Sequence, residues 1–383
     1  MRILVLGGDG FCGWPAALQL SSDGHQVWIA DNLARRQHDQ ELGTESLTPI
    51  ATPQARLRAW HGVQAGNLEF CLCDAGEYEA LRELLEQVQP QGVVHYAEQR
   101  AAPYSMKSPR HRCYTLENNL RVTHNLLCAL AELKLDAHLV HLGTMGVYGY
   151  GIAGITLPEG YLKVQMAGDE GPLEKEIRFP DDPGSLYHMT KCLDQQLFAF
   201  YNKNDGLRIT DLHQGIVWGT QTSHTLLHPD LINRFDYDGD FGTVLNRFAV
   251  QATVGHPLTV HGRGLQMRAF IHLEDSVRCI QLALATPPVR GQRVRILNQM
   301  TEVHRVLDLA RKICELTGAT WQHLPNPRKE LEENHLRVEA NSLLRLGLSP
   351  RKLDNPGLED ILELAARYAH RCDPDKIPCR SYW

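Results

Sequence analysis

The chain has no apolar run approaching the length of a membrane span, which excludes a helical anchor. It lacks a basic excess: 39 Lys and Arg stand against 45 Asp and Glu, a formal charge of −6. Binding phosphate chains needs a concentrated basic face, so a nucleic-acid partner is not expected. None of the ten cysteines forms a CxxC pair, so neither a disulfide framework nor a zinc site is expected. Each cysteine reads as a small buried hydrophobe, and a reducing cytoplasm is the simplest home. The first apolar run opens at Ile3, which leaves no stretch that reads as a signal or transit peptide. Internal repeats and low-complexity tracts are also missing.

What is present is an ordinary globular composition, 43% apolar and 22% charged over 383 residues, enough for two lobes. Ile3 to Leu6 leads into Gly7-Gly8-Asp9-Gly10-Phe11-Cys12-Gly13, followed by a helical segment and a second apolar run, Gln26 to Ala30, that ends in Asp31. Strand, glycine turn, helix, strand, acid is the order of a dinucleotide-binding βαβ unit. Gly7 permits the tight turn, Gly10 lets backbone approach a pyrophosphate, and Gly13 lets helix and strand pack closely. The helix N-terminus offers N–H groups to phosphate. Asp31 can accept hydrogen bonds from a ribose diol and would repel a 2'-phosphate, favouring NAD over NADP. Arg35 and Arg36, close by, weaken that preference.

The fold expected is α/β, a Rossmann-type doubly wound parallel sheet with a smaller, interleaved C-terminal substrate lobe. Residues 1–218 would form the nucleotide domain and 219–383 mainly the substrate lobe, with segments near 268–298 returning to the first domain. Residues 33–66 read as a long polar cover between the second and third strands. Strands are expected at 68–72, 92–96, 137–142 and 208–212. Asp74 with Glu77 reads as a capping box, and helices are expected at 112–133, 185–201 and 302–316. In the helix at 185–201, Leu186, Leu193, Leu197 and Phe200 are the expected inward face. Residues 150–184 form a polar insertion whose Tyr161 to Val164 looks like a hairpin arm. Ligands should lie beyond the carboxyl ends of the strands, which places Asp74, Ala97, Glu98, Gln99 and Arg100 near them.

Tyr187 and Lys191 are four residues apart on one helix and share a face. A phenol near pKa 10 is a poor base at neutral pH, and an ammonium beside it lowers that pKa. Thr144, ending the fifth strand, can add a hydroxyl. Such a set removes a proton from a carbinol while NAD takes the hydride.

These features resemble the extended short-chain dehydrogenase/reductases, and within them the sulfoquinovose synthases. The strings that carry the resemblance run along nearly the whole chain. They include Gly7 to Trp14, Asp31-Asn32-Leu33, Glu45 to Ala51, Glu98-Gln99-Arg100, Ala102 to Met106, Leu142 to Gly146, Tyr187-His188, Phe241-Gly242-Thr243, Gly255 to Val260 and Pro325 to Arg328. The resemblance implies NAD as a recycled cofactor, a nucleotide sugar such as UDP-glucose as substrate, sulfite as a second substrate, and a homodimer formed through helices 112–133 and 185–201. The implied route is oxidation at C4, loss of water across C5–C6, addition of sulfite at C6 and reduction at C4.

By position, Thr144, Tyr187 and Lys191 would perform the redox step, with Met145 and His188 flanking the sugar. Phe11, Cys12, Asn32, Leu33, Arg35, Arg36, Asp74, Ala97, Asn119, Gln214 and Val217 would join the glycines and Asp31 around the cofactor. Arg100, Asn246, Arg268, Arg328 and Gln214 would contact substrate, Arg268 and Arg328 as forks for the diphosphate. The chain departs from the family at Val147, where the family string carries Glu, and at His213, where it carries Asn. One expectation is that His188 or His213 supplies the missing acid–base group. An enzyme that dehydrates or epimerises another nucleotide sugar or nucleoside without sulfite, and an inactive NAD-binding scaffold, remain open alternatives.

Overall fold

A computed structural model describes residues 1–64, 66–149, 154–169 and 171–383; the start of the insertion, 150–153, lies outside the described residues. Seven strands form a wholly parallel sheet: β1 (Arg2–Leu6), β2 (Gln26–Asp31), β3 (Asn67–Leu72), β4 (Gly92–His95), β5 (His138–Thr144), β6 (Arg208–Gln214) and β7 (Arg295–Gln299). Their order across the sheet is β3-β2-β1-β4-β5-β6-β7. The order reverses between β1 and β4, and ligands bind at such a switch point.

Both faces of the sheet are covered, as parallel sheets require. Alternation along β1 shows how: Ile3 and Val5 join Ala17, Leu18, Ile280 and Ala283 in one core. Leu4 and Leu6 point the other way, onto Leu81, Leu85, Leu126, Leu130 and Phe198. A third apolar cluster organises the C-terminal lobe around Trp218, Phe235, Phe248, Phe270, Ile313 and Ile361. It also takes in Leu47, which anchors the cover segment to that lobe.

Several expectations need correction. The cover is not a loop: it carries helices Ala34–Leu42 and Pro53–Val63, the second capped by the Thr52 hydroxyl. Asp74 does not cap the following helix, which starts at Tyr78; its Oδ1 accepts from the Gly76 N–H in a local turn. Arg295–Gln299 does return to the central sheet, but Met267–His272 does not. It pairs instead with Ile216–Trp218 and Glu302–Arg305 in a separate three-stranded sheet, so 302–305 is strand and the helix begins at Val306. The hairpin is formed by Tyr161–Gly168 and Gly171–Arg178.

The helix Leu186–Asp205 departs from the expected inward face at Phe200; Leu186, Leu193 and Leu197 are half-buried, Leu197 against the core beside the sheet. Its buried residues are His188, Thr190, Lys191, Cys192, Asp194, Gln195 and Phe198, while Phe200 is exposed. Apolar spacing misleads at Phe200 because the most buried side of the helix carries polar groups, Lys191 and Asp194 among them.

Candidate active site

The glycine turn after β1 is shaped by close approach. Gly7 adopts φ +76°, and a Cβ there would stand 2.6 Å from the Tyr96 carbonyl carbon. At Gly13 a Cβ would stand 2.3 Å from the Gly7 carbonyl oxygen, so any side chain would push the helix off the turn. No side chain caps the helix Gly13–Ser22, leaving its N-terminal end directed at the cleft. Asp31, ending β2, accepts from the N–H groups of Asp9 (2.9 Å) and Leu33 (2.7 Å). Burial and the neighbouring Asp9 carboxylate push its pKa up, to about 6.

These residues line one long cleft over the carboxyl ends of the strands. Its walls include Gly7, Gly10, Phe11, Cys12, Gly13, Asp31, Asn32, Arg35, Asp74, Ala97, Arg100, Thr144, Met145, Tyr187, His188, Lys191, Gln214, Val217, Arg268 and Arg328. The structure therefore brings most of the expected residues together. The glycine cradle, the uncapped helix and the acid at the end of β2 fit a dinucleotide.

Five expected residues do not line the cleft. Leu33 sits at φ +61° as the N-cap of the next helix. Arg36 binds Asp9 with both Nε (2.7 Å) and Nη2 (2.9 Å), which ties the cover to the glycine turn. Asn119 accepts from the Gln99 N–H (2.8 Å) and donates to the Gln99 carbonyl (2.9 Å), bracing the segment after β4; its neighbour Asn118 reaches the cleft. Asn246 is buried, and Arg247 is the cleft residue there. His213 lies behind the sheet end, against Asp211 (3.0 Å) and the Tyr148 ring. Val147 is buried in an apolar cluster with Tyr148, Leu157 and Phe179. A side chain at position 147 points into that cluster, so the departure there removes no group from the cleft.

The reactive centre lies where β5 meets the helix Leu186–Asp205. The Tyr187 phenol is hydrogen-bonded to Thr144. Burial raises its pKa, opposed by the Lys191 ammonium and the Thr144 hydrogen bond. Lys191 Nζ donates to the Leu142 carbonyl (2.8 Å) and pairs with Glu98 Oε2 (2.9 Å). Burial acts to lower the Lys191 pKa, but Glu98, Tyr187 and Asp194 outweigh it and the net shift is upward. His188 accepts or shares a hydrogen bond with the Ser185 hydroxyl (3.1 Å) and faces Gly146. Burial, then Arg328 and Arg268, hold its pKa down at about 3.

Sequence reasoning missed Asp9, Arg56 and Arg247. Arg56 is completely buried, donating to Asp9 Oδ1 (2.8 Å) and the Ile232 carbonyl (3.1 Å). Arg247 is 6% exposed, its Nε has no hydrogen-bond partner, and no carboxylate pairs with it among the described residues. Arg328 likewise has no carboxylate partner among them and lies over the Trp383 ring, whereas Arg268 pairs with Glu330. A buried cation without a counter-charge is costly, and Arg247 is one, with the half-buried Arg328 in the same cleft. Only burial in the tertiary structure, not spacing, marks Arg247.

The family model for the "NAD dependent epimerase/dehydratase family" matches residues 3–297. The chain belongs to that family. It is an NAD-dependent enzyme of the extended short-chain dehydrogenase/reductase type. The chain is 42% identical to the chloroplastic UDP-sulfoquinovose synthase of Spinacia oleracea, over all of this chain and 79% of that protein. It is 37% identical to the UDP-sulfoquinovose synthase of Sulfolobus acidocaldarius, over 92% of this chain and 89% of that one. Among solved structures it resembles a dTDP-glucose 4,6-dehydratase from Streptomyces venezuelae with NAD bound (TM-score 0.71, 21% identity, 98% and 99% of the two chains covered). It also resembles a UDP-glucose 4-epimerase from Thermotoga maritima with UDP-glucose (TM-score 0.70, 20% identity, 97% and 99% covered). No helix among the described residues of this family member is long and apolar enough to cross a membrane.

Proposed function

We propose that the chain is a UDP-sulfoquinovose synthase-type enzyme that converts UDP-glucose and sulfite into the 6-sulfonated sugar nucleotide and water. The observation that carries the reading is one cleft holding Thr144, Tyr187 and Lys191 near its centre and two unneutralised arginines, Arg247 and Arg328, further along it. Likeness to two enzymes of that name across nearly the whole chain supports it.

Gly7, Gly10, Gly13 and Asp31 would hold NAD, which when bound supplies a hydride acceptor and donor. Tyr187, as phenolate beside the Lys191 ammonium, takes the C4 hydroxyl proton and later returns it. Thr144 orients that hydroxyl. Arg247, Arg268 and Arg328 bind the diphosphate. Loss of the C5 proton and the C6 hydroxyl releases water, and sulfite sulfur then bonds to C6 while C5 regains a proton. His188, one of three histidines lining the cleft, would take the C5 proton. Burial is the largest cause of the depressed His188 pKa, so a diphosphate on Arg268 and Arg328 would relieve only the part those two cations add.

The reading without sulfite drew on Val147 as a lost catalytic acid; with that position in an apolar cluster, the argument lapses. Homodimerisation through the helices Pro109–Glu132 and Leu186–Asp205 is part of the proposal, supported by exposed Leu116, Met189 and Phe200. A reducing compartment such as the cytoplasm suits ten unpaired cysteines. Mixing NAD-loaded protein with UDP-glucose and sulfite, then reading the product mass and sulfite consumption, tests the reading. Turnover of UDP-glucose with sulfite untouched would refute it.

A further inference from the structure

Behind Lys191 lies a buried ionic cluster that the reaction as described does not use. Glu98 meets two side chains, one at each oxygen: the Lys191 ammonium pairs with Oε2 (2.9 Å), and His141 Nε2 lies 3.1 Å from Oε1. On its other side the His141 ring meets Asp211, Nδ1 to Oδ1 at 2.8 Å. Asp211 Oδ2 in turn meets His213 Nε2 at 3.0 Å. His141, Asp211 and His213 are each no more than 1% exposed, and Lys191 is 4% exposed.

The chain from Asp211 through His141 and Glu98 to Lys191 therefore alternates in charge and ends at the Tyr187 phenol. We infer that His141 is a positioning residue for the redox step: as an imidazolium it shares Glu98 with Lys191, and so leaves the ammonium's field available to the Tyr187 phenolate. Without it, Glu98 would neutralise Lys191 alone, and the phenol would lose its stabilising charge. The inference rests on Tyr187 being the acting base.

Charge balance supports this state. Burial alone would raise Glu98 and Asp211, yet their cationic neighbours hold both far below the usual carboxylate range. Two buried carboxylates call for two cations, and Lys191 supplies one. The groups facing His141 are Glu98 and His95 from the end of β4, Lys191 and Asp194 from the helix Leu186–Asp205, and Asp211 with His213 from β6. Burial and Lys191 act to lower the His141 pKa, but Asp211 and Glu98 carry it up to about 9. Burial holds His95 down at about 3 against the pull of Glu98. Burial and then the Glu98 charge push the Asp194 pKa up.

His95, Glu98 and His141 also offer one ligand atom each within 4.8 Å of one another, a spacing that could hold a metal ion. The Lys191 ammonium already lies 2.9 Å from Glu98 and 3.0 Å from His141 Nε2, so a metal ion there would meet a resident cation.

The test compares NAD-loaded wild type, His141→Gln and His141→Lys by tyrosinate ultraviolet difference titration, each referenced to a Tyr187→Phe partner. His141→Gln should raise the Tyr187 midpoint by about one pH unit or more, since an opposite charge nearby is worth roughly 1–3 units. His141→Lys, which keeps the charge and loses the ring, should restore most of that shift. An unmoved midpoint in His141→Gln, or equal displacement in both variants, overturns the inference. Ring-nitrogen NMR of wild-type His141 gives a reading should the Gln variant not fold: an imidazolium at neutral pH supports the inference, and a neutral ring overturns it. No sugar enters these titrations, so failure to oxidise UDP-glucose would sink the substrate reading separately.

Discussion

Arg247 and Arg328 border the same cleft, and neither is neutralised by a carboxylate among the described residues. Burial and the Arg328 charge both act on the Arg247 guanidinium, with a net lowering of its pKa. Two like charges held this way fit a dianionic ligand. Arg247→Ala and Arg328→Ala should each weaken UDP binding about 10- to 100-fold, the range of a charge-assisted hydrogen bond of about 1.5–3 kcal/mol. Calorimetry with UDP reads this directly. Arg247→Met should also raise the melting temperature of the ligand-free protein, because it removes an uncompensated buried cation.

Tyr187→Phe should keep NAD and UDP bound while lowering turnover by roughly 10²- to 10⁴-fold, the usual contribution of a positioned acid–base group. Single-turnover nicotinamide absorbance separates this from a binding defect. A variant that still oxidises the sugar at the wild-type rate would remove the phenol from the mechanism.

His188 lines the cleft and His213 does not. Accordingly His188→Ala should abolish substrate C5 deuterium exchange, and His213→Ala should retain it. Val147→Glu should leave the exchange rate unchanged while lowering stability, since it places a carboxylate in an apolar cluster.

Asp31 makes a pH prediction. Its folded-state pKa is raised, to about 6, chiefly by burial and Asp9. A raised carboxyl pKa means the ionised form is disfavoured in the fold, so the penalty grows as pH climbs from about 4 towards 6 and is constant above. Asp31→Asn should therefore stabilise the NAD-free protein by roughly 1–2 kcal/mol at pH 8 and little at pH 4. The same variant should bind NAD more weakly through loss of the ribose acceptor. Denaturant melts at the two pH values check the sign.

Asp9 neutralises Arg36 and the wholly buried Arg56. Asp9→Ala strands both, at a cost of about 3–5 kcal/mol, the range for breaking a buried ion pair by deleting one partner. Chemical denaturation should show this loss with NAD absent.

Sequence alone determined the parts whose signal is local. The glycine turn is legible because backbone approach forbids side chains at particular positions, as the 2.3 Å clearance at Gly13 shows. Asp31, Tyr187 and Lys191 are legible because strand ends and a one-turn helical spacing fix where such groups must point. Only the tertiary structure decided which residues meet across long separations. It buried Arg247 without a partner, turned Val147 into an apolar cluster, and set His141 between Asp211 and Glu98. It also put Lys191 and Asp194 inside and Phe200 outside on the helix Leu186–Asp205. The physical reason is common to all four. Spacing shows which residues share a face, but whether that face is covered, and by what charge, depends on elements that arrive from elsewhere in the chain.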